Sequence, residues 1–196
     1  MTGPRPRGGR RAGALLLTPG AGSGRDHRTL VAVEQAVSPL PVARVDFPYR
    51  QEGRKAPDRA PKLIACIVTE ADALADGAGV EPDRIVFGGR SMGGRMCSMA
   101  VAEGLPAAGL VLLSYPLHPP GKPDRLRTEH LAEIAVPCLF VSGTRDAFGT
   151  PAEMEAATAA IDGPVTHVWL DGAGHDPKGH DAAIAATVAG WISDLG

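Results

Sequence analysis

Hydrophobic residues occur along the chain in six short runs, each of which ends in glycine, proline or polar residues. Such runs are typical of buried β-strands. The predicted strands cover residues 14–20, 42–50, 83–89, 109–117, 137–143 and 165–172. Between the runs, apolar residues recur every three or four positions, which is typical of amphipathic helices. The predicted helices cover residues 61–75, 92–103 and 151–161, with one more before the second strand and another from about residue 181.

This alternation predicts an α/β fold, with a mostly parallel sheet of about six strands and helices on both faces. No internal repeat is visible, so residues 14–196 are expected to form a single domain. Two helix starts carry capping signals. Asp26 is expected to cap the first helix, and Thr150 and Glu153 have the spacing of a capping box. Residues 51–60 are polar and are expected to form a surface loop.

Composition excludes several classes of function. The chain has a net charge of −2, which gives no general attraction to nucleic acid or to an anionic membrane. Its aromatic share of 4% leaves too few rings for a base-stacking platform. No run of about 18 apolar residues is present, so no membrane span is predicted. The widely spaced Cys66, Cys97 and Cys138 fit neither a disulfide framework nor a zinc site, and we expect buried thiols in a cytoplasmic protein.

The first thirteen residues are rich in arginine, glycine and proline. Arg10 and Arg11 are compatible with a twin-arginine export signal. The apolar run that follows is too short for the hydrophobic region of such a signal, since it runs directly into Thr18, Pro19 and Gly20. We therefore expect residues 1–13 to be a disordered basic tail ahead of the first strand.

The segment after the third strand has the spacing of a nucleophile elbow. Gly89 and Gly93 flank Ser91 in a G-x-S-x-G pattern between a predicted strand and a predicted helix. So sharp a turn holds the serine in an unfavourable backbone conformation, and side chains at positions 89 and 93 would collide across it. The hydroxyl is then exposed at a helix N-terminus, where the N–H of Met92 can stabilise an oxyanion. The alternative is a solvated serine in a glycine-rich turn.

Two further strand ends supply the partners that a serine nucleophile needs. Asp146 follows the fifth strand and His175 follows the sixth, which gives the chain order Ser, Asp, His. Because the carboxyl ends of parallel strands lie at one edge of a sheet, these side chains are expected to converge. Histidine would accept the serine proton, and aspartate would orient the imidazole. The alternatives that stay open are His180 as the base and Asp171 or Asp176 as the acid.

The glycine-rich turn at residues 18–24 is expected to supply a second oxyanion donor. The N–H of Ala21 is the first choice, with those of Gly20 and Gly22 as alternatives. A phosphate-binding loop is a poor alternative because the G-K-[ST] sequence is absent after these glycines.

The connection between the fourth and fifth strands has only about twenty residues, with one short helix expected at about 128–134. This length leaves no room for a substantial cap, so the substrate pocket is expected to be shallow and open. The candidates for its rim, and thus for substrate binding, are Arg90, Tyr115 and His118.

The chain resembles the α/β-hydrolase superfamily, and within it the small group related to dienelactone hydrolases and to the testis-expressed and NSL-complex hydrolase-like proteins. The shared segments are LLLTPGAGSGRDH, GGRSMGGRM, YPLHPPGKPDRLRTEHL, LFVSGTRDAFGT and GAGHD. Two positions depart from the common pattern. Pro19 stands in place of the usual histidine at the oxyanion loop, and Ser91 stands where dienelactone hydrolases usually carry cysteine, so their substrate is not carried over.

Together these features predict a serine hydrolase that needs no cofactor or metal. It would cleave a small-molecule ester or thioester through an acyl-enzyme. The alternative is a hydrolase-like scaffold that uses the fold for protein interaction. The sequence makes no prediction of the oligomeric state.

Overall fold

The six apolar runs form one sheet in the computed structural model, which describes residues 11–195. The strands are β1 (Ala14–Thr18), β2 (Val42–Arg44), β3 (Ile85–Arg90), β4 (Gly109–Leu113), β5 (Cys138–Gly143) and β6 (Val165–Leu170). Their order in the sheet is β2-β1-β3-β4-β5-β6, and every neighbouring pair is parallel. The predicted α/β architecture with a parallel sheet is therefore confirmed.

Six α-helices occur within the described part of the chain. They are α1 (Arg28–Ala36), α2 (Pro48–Gln51), α3 (Ala60–Ala78), α4 (Met92–Ala102), α5 (Pro151–Thr158) and α6 (Asp181–Ser193). Two 3-10 turns add to them, at Pro82–Arg84 and Leu131–Glu133. Successive side chains of a strand point to opposite faces of the sheet, so each strand contributes to two cores. Leu16 packs in the core with α3 and α4, whereas Leu15 and Leu17 pack in the core with α1 and α6.

The second predicted strand is wrong in its latter half. Residues 42–44 form β2, but the chain then turns into the short helix α2. Pro48 is the first residue of that helix, where its fixed φ angle and missing N–H are tolerated. Phe47 and Tyr49 are both fully buried, so their apolar character comes from the core that α2 covers and not from a strand.

Other boundaries also differ from the prediction. The cap of α1 is His27 and not Asp26. The His27 Nδ1 accepts the N–H of Thr29 at 3.3 Å, whereas the Asp26 carboxylate accepts a hydrogen bond from Arg44. β4 stops at residue 113 because Ser114 takes a φ of 49°. The predicted helix at 128–134 is only the 3-10 turn at Leu131–Glu133, while the capping box of Thr150 and Glu153 is confirmed.

The predicted tail at residues 1–13 is described only from residue 11 onward. At the end of this tail, the N–H of Gly13 donates to the carbonyl of Arg84 at 2.8 Å, so this residue is already bonded to the domain. Within residues 11–195 no helix has both the length and the apolar composition needed to cross a membrane. Cys97 and Cys138 are buried free thiols, and burial raises the pKa of each to about 12, while Cys66 is only partly buried.

A partly buried polar cluster fastens the segment between β4 and β5 to helix α4. The Ser98 hydroxyl of α4 donates to the carbonyl of Arg95 at 2.8 Å and lies 2.8 Å from His130 Nε2. Because that hydroxyl has only one hydrogen, Nε2 of His130 is the donor in the second contact. Burial, helped by the charge of Arg95, lowers the pKa of His130 to about 4. The folded protein therefore favours a neutral imidazole at this position.

The lowered pKa of His130 predicts a loss of stability in mild acid. Between pH 6.5 and about 4 the unfolded chain protonates His130 while the folded chain does not, so the free energy of unfolding falls as the pH falls. After allowance for partial exposure, we expect His130 to account for about 1–2 kcal/mol of that loss. Urea unfolding in steps from pH 7 to pH 4 measures it. His130→Gln keeps an N–H donor without titrating, and an unchanged pH dependence in this variant would contradict the assignment.

Candidate active site

The loops after β3, β5 and β6 bring together the three residues expected as nucleophile, acid and base. The Ser91 Oγ lies 2.8 Å from His175 Nε2. The other ring nitrogen of His175, Nδ1, lies 2.8 Å and 3.0 Å from the two carboxylate oxygens of Asp146. The Asp146 side chain is almost fully buried, and Ser91 and His175 are partly buried. The contacts therefore form one continuous line from a reachable hydroxyl to a buried carboxylate.

The three alternative residues have other partners. Asp171 accepts a hydrogen bond from the Thr144 hydroxyl at 3.3 Å. Asp176 accepts from two arginines, Arg28 and Arg90. His180 lies at the start of α6, where its N–H donates to the carbonyl of Pro177. Within residues 11–195, the histidine ring that lies against Ser91 is that of His175.

Ser91 occupies a strained backbone conformation at the junction of β3 and α4. Its φ is 51° and its ψ is −119°, and the only other non-glycine residue with positive φ in the described chain is Ser114. A side chain held in such a region costs on the order of 1–3 kcal/mol. The turn is fixed on both sides, because the Ser91 N–H donates to the carbonyl of Leu113 at 2.8 Å and its carbonyl accepts the N–H of Arg95 at 3.1 Å.

The glycines around Ser91 are required by the end of β1. A Cβ atom at Gly89 would lie 2.6 Å from the Thr18 carbonyl oxygen, and one at Gly93 would lie 2.5 Å from that of Pro19. Real Cβ atoms essentially never come so close to other heavy atoms. The collisions were expected across the turn itself, but most of the obstructing atoms belong to the neighbouring strand. The elbow is thus packed directly against the start of the glycine-rich loop.

Comparison with known proteins identifies the family to which this fold belongs. The family model for an alpha/beta hydrolase domain matches residues 11–187. The chain belongs to the α/β-hydrolase family.

Several solved structures share this fold. Est1E from Butyrivibrio proteoclasticus has a TM-score of 0.76 at 16% identity, over 94% of this chain and 88% of that one. A dienelactone hydrolase from Anabaena variabilis has a TM-score of 0.73 at 19% identity, over 94% and 87%. The type II thioesterase BorB of the borrelidin biosynthetic cluster has a TM-score of 0.67 at 20% identity, over 95% and 96%. At these identities the likeness concerns the fold alone.

Of the residues considered as oxyanion donors in this α/β hydrolase, Met92 directly follows Ser91 and Gly20 packs against it. Met92 is the first residue of α4, where backbone N–H groups have no partner within the helix. Gly20, next to Ala21, packs against the elbow, since a Cβ atom there would lie 3.6 Å from Ser91 Cβ. The Tyr49 hydroxyl holds this loop by donating to the carbonyl of Ala21 at 2.9 Å. The use of these N–H groups in catalysis stays a prediction.

Phe148 is a site residue that the sequence analysis missed. Its ring stacks on the His175 imidazole, with centroids 3.9 Å apart and planes inclined by 26°. Its N–H also donates to the Asp146 carboxylate at 2.8 Å. The only signal in the sequence was an aromatic residue two positions after the candidate aspartate, which is too common a pattern to single it out. Phe148 covers one face of the imidazole and steadies the acid.

The predicted rim of the hydrolase pocket is wrong at two positions. Tyr115 is 1% exposed, and its hydroxyl donates to the carbonyl of Arg127 inside the core. His118 is 5% exposed, and its N–H donates to the carbonyl of Phe148. Arg90 does lie beside the site, but its Nη2 is 3.0 Å from the carbonyl of His175.

The connection between β4 and β5 agrees with the expectation of a hydrolase without a substantial cap. Residues 114–137 are all described, and their only helical element is the 3-10 turn. No group of three or more His, Cys, Asp or Glu side chains in the described residues is arranged to hold a metal ion.

The strain at Ser91 predicts an unusual order of stability. We expect Ser91→Gly to be more stable than Ser91→Ala by about 1 kcal/mol, because alanine keeps the Cβ atom in the positive-φ region and glycine does not. Urea unfolding of the two variants measures the difference.

The matched control is the pair Asp72→Gly and Asp72→Ala on the exposed side of α3. There the order should be reversed, since glycine costs about 0.5–1 kcal/mol relative to alanine within a helix. If glycine is also the less stable replacement at position 91, the elbow is not strained.

Proposed function

We propose that this α/β hydrolase is a serine hydrolase that cleaves an ester or thioester through an acyl-enzyme. The observation that carries the proposal is the line of close contacts from Ser91 through His175 to Asp146, with distances of 2.8 Å at both steps. A hydroxyl is a poor nucleophile until a base removes its proton. These contacts give Ser91 such a base and give the base a carboxylate partner.

The first chemical step uses each member of the set. The Asp146 carboxylate accepts a hydrogen bond from Nδ1–H of His175, which leaves Nε2 free to accept the Ser91 proton. As the proton moves to Nε2, the Ser91 Oγ attacks the carbonyl carbon of the substrate. The negative charge that develops on the carbonyl oxygen is stabilised by backbone N–H groups, for which Met92 and Ala21 are the candidates.

The second step releases the first product. The tetrahedral intermediate collapses, and the alcohol or thiol leaving group takes the proton from His175 Nε2. The acyl group then remains on the Ser91 Oγ. Water attacks this acyl-enzyme after giving a proton to His175, and the second collapse returns that proton to Ser91 and frees the carboxylic acid. No external cofactor is required by this sequence of steps.

The surroundings of His175 favour its role as the base. The Asp146 carboxylate stays next to the ring and stabilises the imidazolium that forms in each half-reaction. The Phe148 ring covers one face of the imidazole and leaves Nε2 directed at Ser91. The base is therefore held in one orientation before any substrate binds, which is the condition for an efficient proton transfer.

The substrate class is proposed from the cap-free connection and from the neighbours. Residues 114–137 contribute no inserted helical layer, so the substrate approaches an open site. One structural neighbour is a dienelactone hydrolase, and another is a type II thioesterase. A third, Est1E, has been solved with ferulic acid bound. These neighbours favour a small-molecule ester or thioester as the substrate.

This proposal predicts covalent labelling at one serine. A fluorophosphonate probe should label the wild-type protein at Ser91, and Ser91→Ala should abolish both the labelling and the hydrolysis of p-nitrophenyl acetate. Asp146→Asn should lower kcat by about 10²–10⁴-fold, because the asparagine favours the wrong tautomer of the imidazole. Intact-protein mass spectrometry and initial rates measure these effects.

The control is Ser193→Ala, which removes a hydroxyl at the end of α6 and should keep full labelling. Circular dichroism establishes that each variant is folded. A folded wild-type protein that neither reacts with the probe nor hydrolyses the ester would overturn the proposal and favour the scaffold alternative.

A further inference from the structure

Two loops next to Ser91 meet at one guanidinium group. Arg90 is the last residue of β3 and directly precedes Ser91. Its Nη2 donates to the backbone carbonyl of His175 at 3.0 Å and to the Asp176 carboxylate at 3.1 Å. Its Nη1 lies against Gly20, where an added Cβ atom would be 3.4 Å away. The side chain therefore contacts the loop at residues 171–180, called the histidine loop below, and the glycine-rich turn at residues 18–24, called the oxyanion loop.

The contacts of Arg90 continue into an ion-pair network. The Asp176 carboxylate also accepts from Arg28 Nη2 at 2.6 Å. Arg28 Nε donates to Asp181 at 2.9 Å, and the Thr29 hydroxyl donates to the same carboxylate at 2.5 Å. Residues 28 and 29 begin α1, and residue 181 begins α6. The network thus ties the histidine loop to the first turns of two helices.

The charges in this network balance. Two arginines, at positions 28 and 90, face two aspartates, at positions 176 and 181. Partial burial alone would raise the pKa of Asp176, but the hydrogen bond from Arg28 and the charge of Arg90 outweigh it and hold that pKa below its usual value. Burial lowers the pKa of Arg90, and the nearby Asp176 opposes this effect. Both partners of the central pair are charged at neutral pH.

The position of Arg90 does not suit a receptor for substrate. Only 12% of its side chain is exposed, and one Nη already donates to two acceptors of the protein. Its Nε is buried without a hydrogen-bond partner in the described structure, so this N–H also faces protein. A group that bound an anionic substrate would have to break these internal contacts first.

We propose that Arg90 is a positioning residue, which holds the backbone of His175 at the elbow so that the imidazole meets Ser91. This inference rests on the proposed function and replaces the substrate-binding role that the sequence suggested. His175 lies in a segment between β6 and α6 without regular secondary structure, so no strand or helix fixes its backbone. Asp146 and Phe148 orient the ring, but the hydrogen bond from Arg90 fixes the peptide that carries it. A misplacement of about 1 Å at such a group can cost about 100-fold in rate.

The first test separates positioning from substrate binding. In Arg90→Gln we expect kcat to fall by about 10–100-fold for p-nitrophenyl acetate and for the anionic p-nitrophenyl hemisuccinate alike, with KM within about 3-fold of wild type. Arg90→Lys keeps the charge and one donor and should recover part of the loss. The control is Arg125→Gln, which removes an exposed positive charge far along the chain from these loops and should leave kcat unchanged.

The second test uses the charges around His175. These are Asp146 after β5, Arg90 at the end of β3, His27 and Arg28 at the start of α1, Asp181 at the start of α6, and Asp176 in the same loop. Asp176→Asn leaves Arg90 without its counter-charge, which disfavours a positive charge at this place and should move the acidic limb of the kcat–pH profile to lower pH. Arg90→Gln should move it up. A general loosening of the loop would not displace the limb in opposite directions.

A measurement that does not depend on enzymatic activity distinguishes the positioning role of Arg90 from the proposed function. Amide hydrogen exchange in residues 171–180 should be faster in Arg90→Gln than in wild type, whether or not the protein is an enzyme. Faster exchange in a variant of a protein that lacks Ser91-dependent hydrolysis would contradict the proposed function but still support the contact by which Arg90 holds the histidine loop. Unchanged exchange and kcat in an active enzyme would overturn the positioning role. So would a KM that rises only for the hemisuccinate.

Discussion

The candidate site depends on a close approach between the end of β1 and the turn from β3 into α4. The carbonyl groups of Thr18 and Pro19 occupy the space that side chains at positions 89 and 93 would need. Because both positions are glycine, the start of α4 packs against β1 and Ser91 is held at a φ of 51°. The same approach brings Gly20 beside Ser91, since the oxyanion loop starts where β1 ends. One steric constraint thus sets the conformation of Ser91 and the position of the loop that faces it.

Much of this arrangement could be predicted from the sequence because its causes are local. Apolar runs marked all six strands, and the rule that parallel strands end at one edge brought the loops of Ser91, Asp146 and His175 together. The prediction failed at residues 45–50, where Val45, Phe47 and Tyr49 alternate with Asp46, Pro48 and Arg50 in the two-residue period of a strand. Pro48 nevertheless begins a helix there. Strand periodicity cannot distinguish a buried strand from a buried turn of helix in so short a run.

The rim residues show a second limit of sequence reasoning. Tyr115 follows Ser114, whose φ of 49° redirects the chain at the end of β4, and the tyrosine ring then packs in the core. A serine gives no sign in the sequence that its φ is positive, whereas a glycine at this position would have indicated a turn. Arg90 was expected near the site and is found there, but its partners lie 85 and 86 positions away in the chain. Contacts at such separations follow from the fold and cannot be inferred from spacing.

The loops of this α/β hydrolase are held by forces of different kinds, and this difference has a consequence. Steric exclusion fixes the elbow, and neither salt nor pH weakens it. The histidine loop is fixed by ion pairs whose aspartates are partly exposed, and such pairs are screened as ionic strength rises. The Asp146 side chain, by contrast, is almost fully buried and accepts the N–H of Phe148. The backbone of His175 is therefore the part of the candidate site that rising ionic strength weakens most. This hydrolase has no cap that packs on its loops. The balanced charges around Arg90 therefore stabilise the histidine loop, as packing against a cap would do in a covered site.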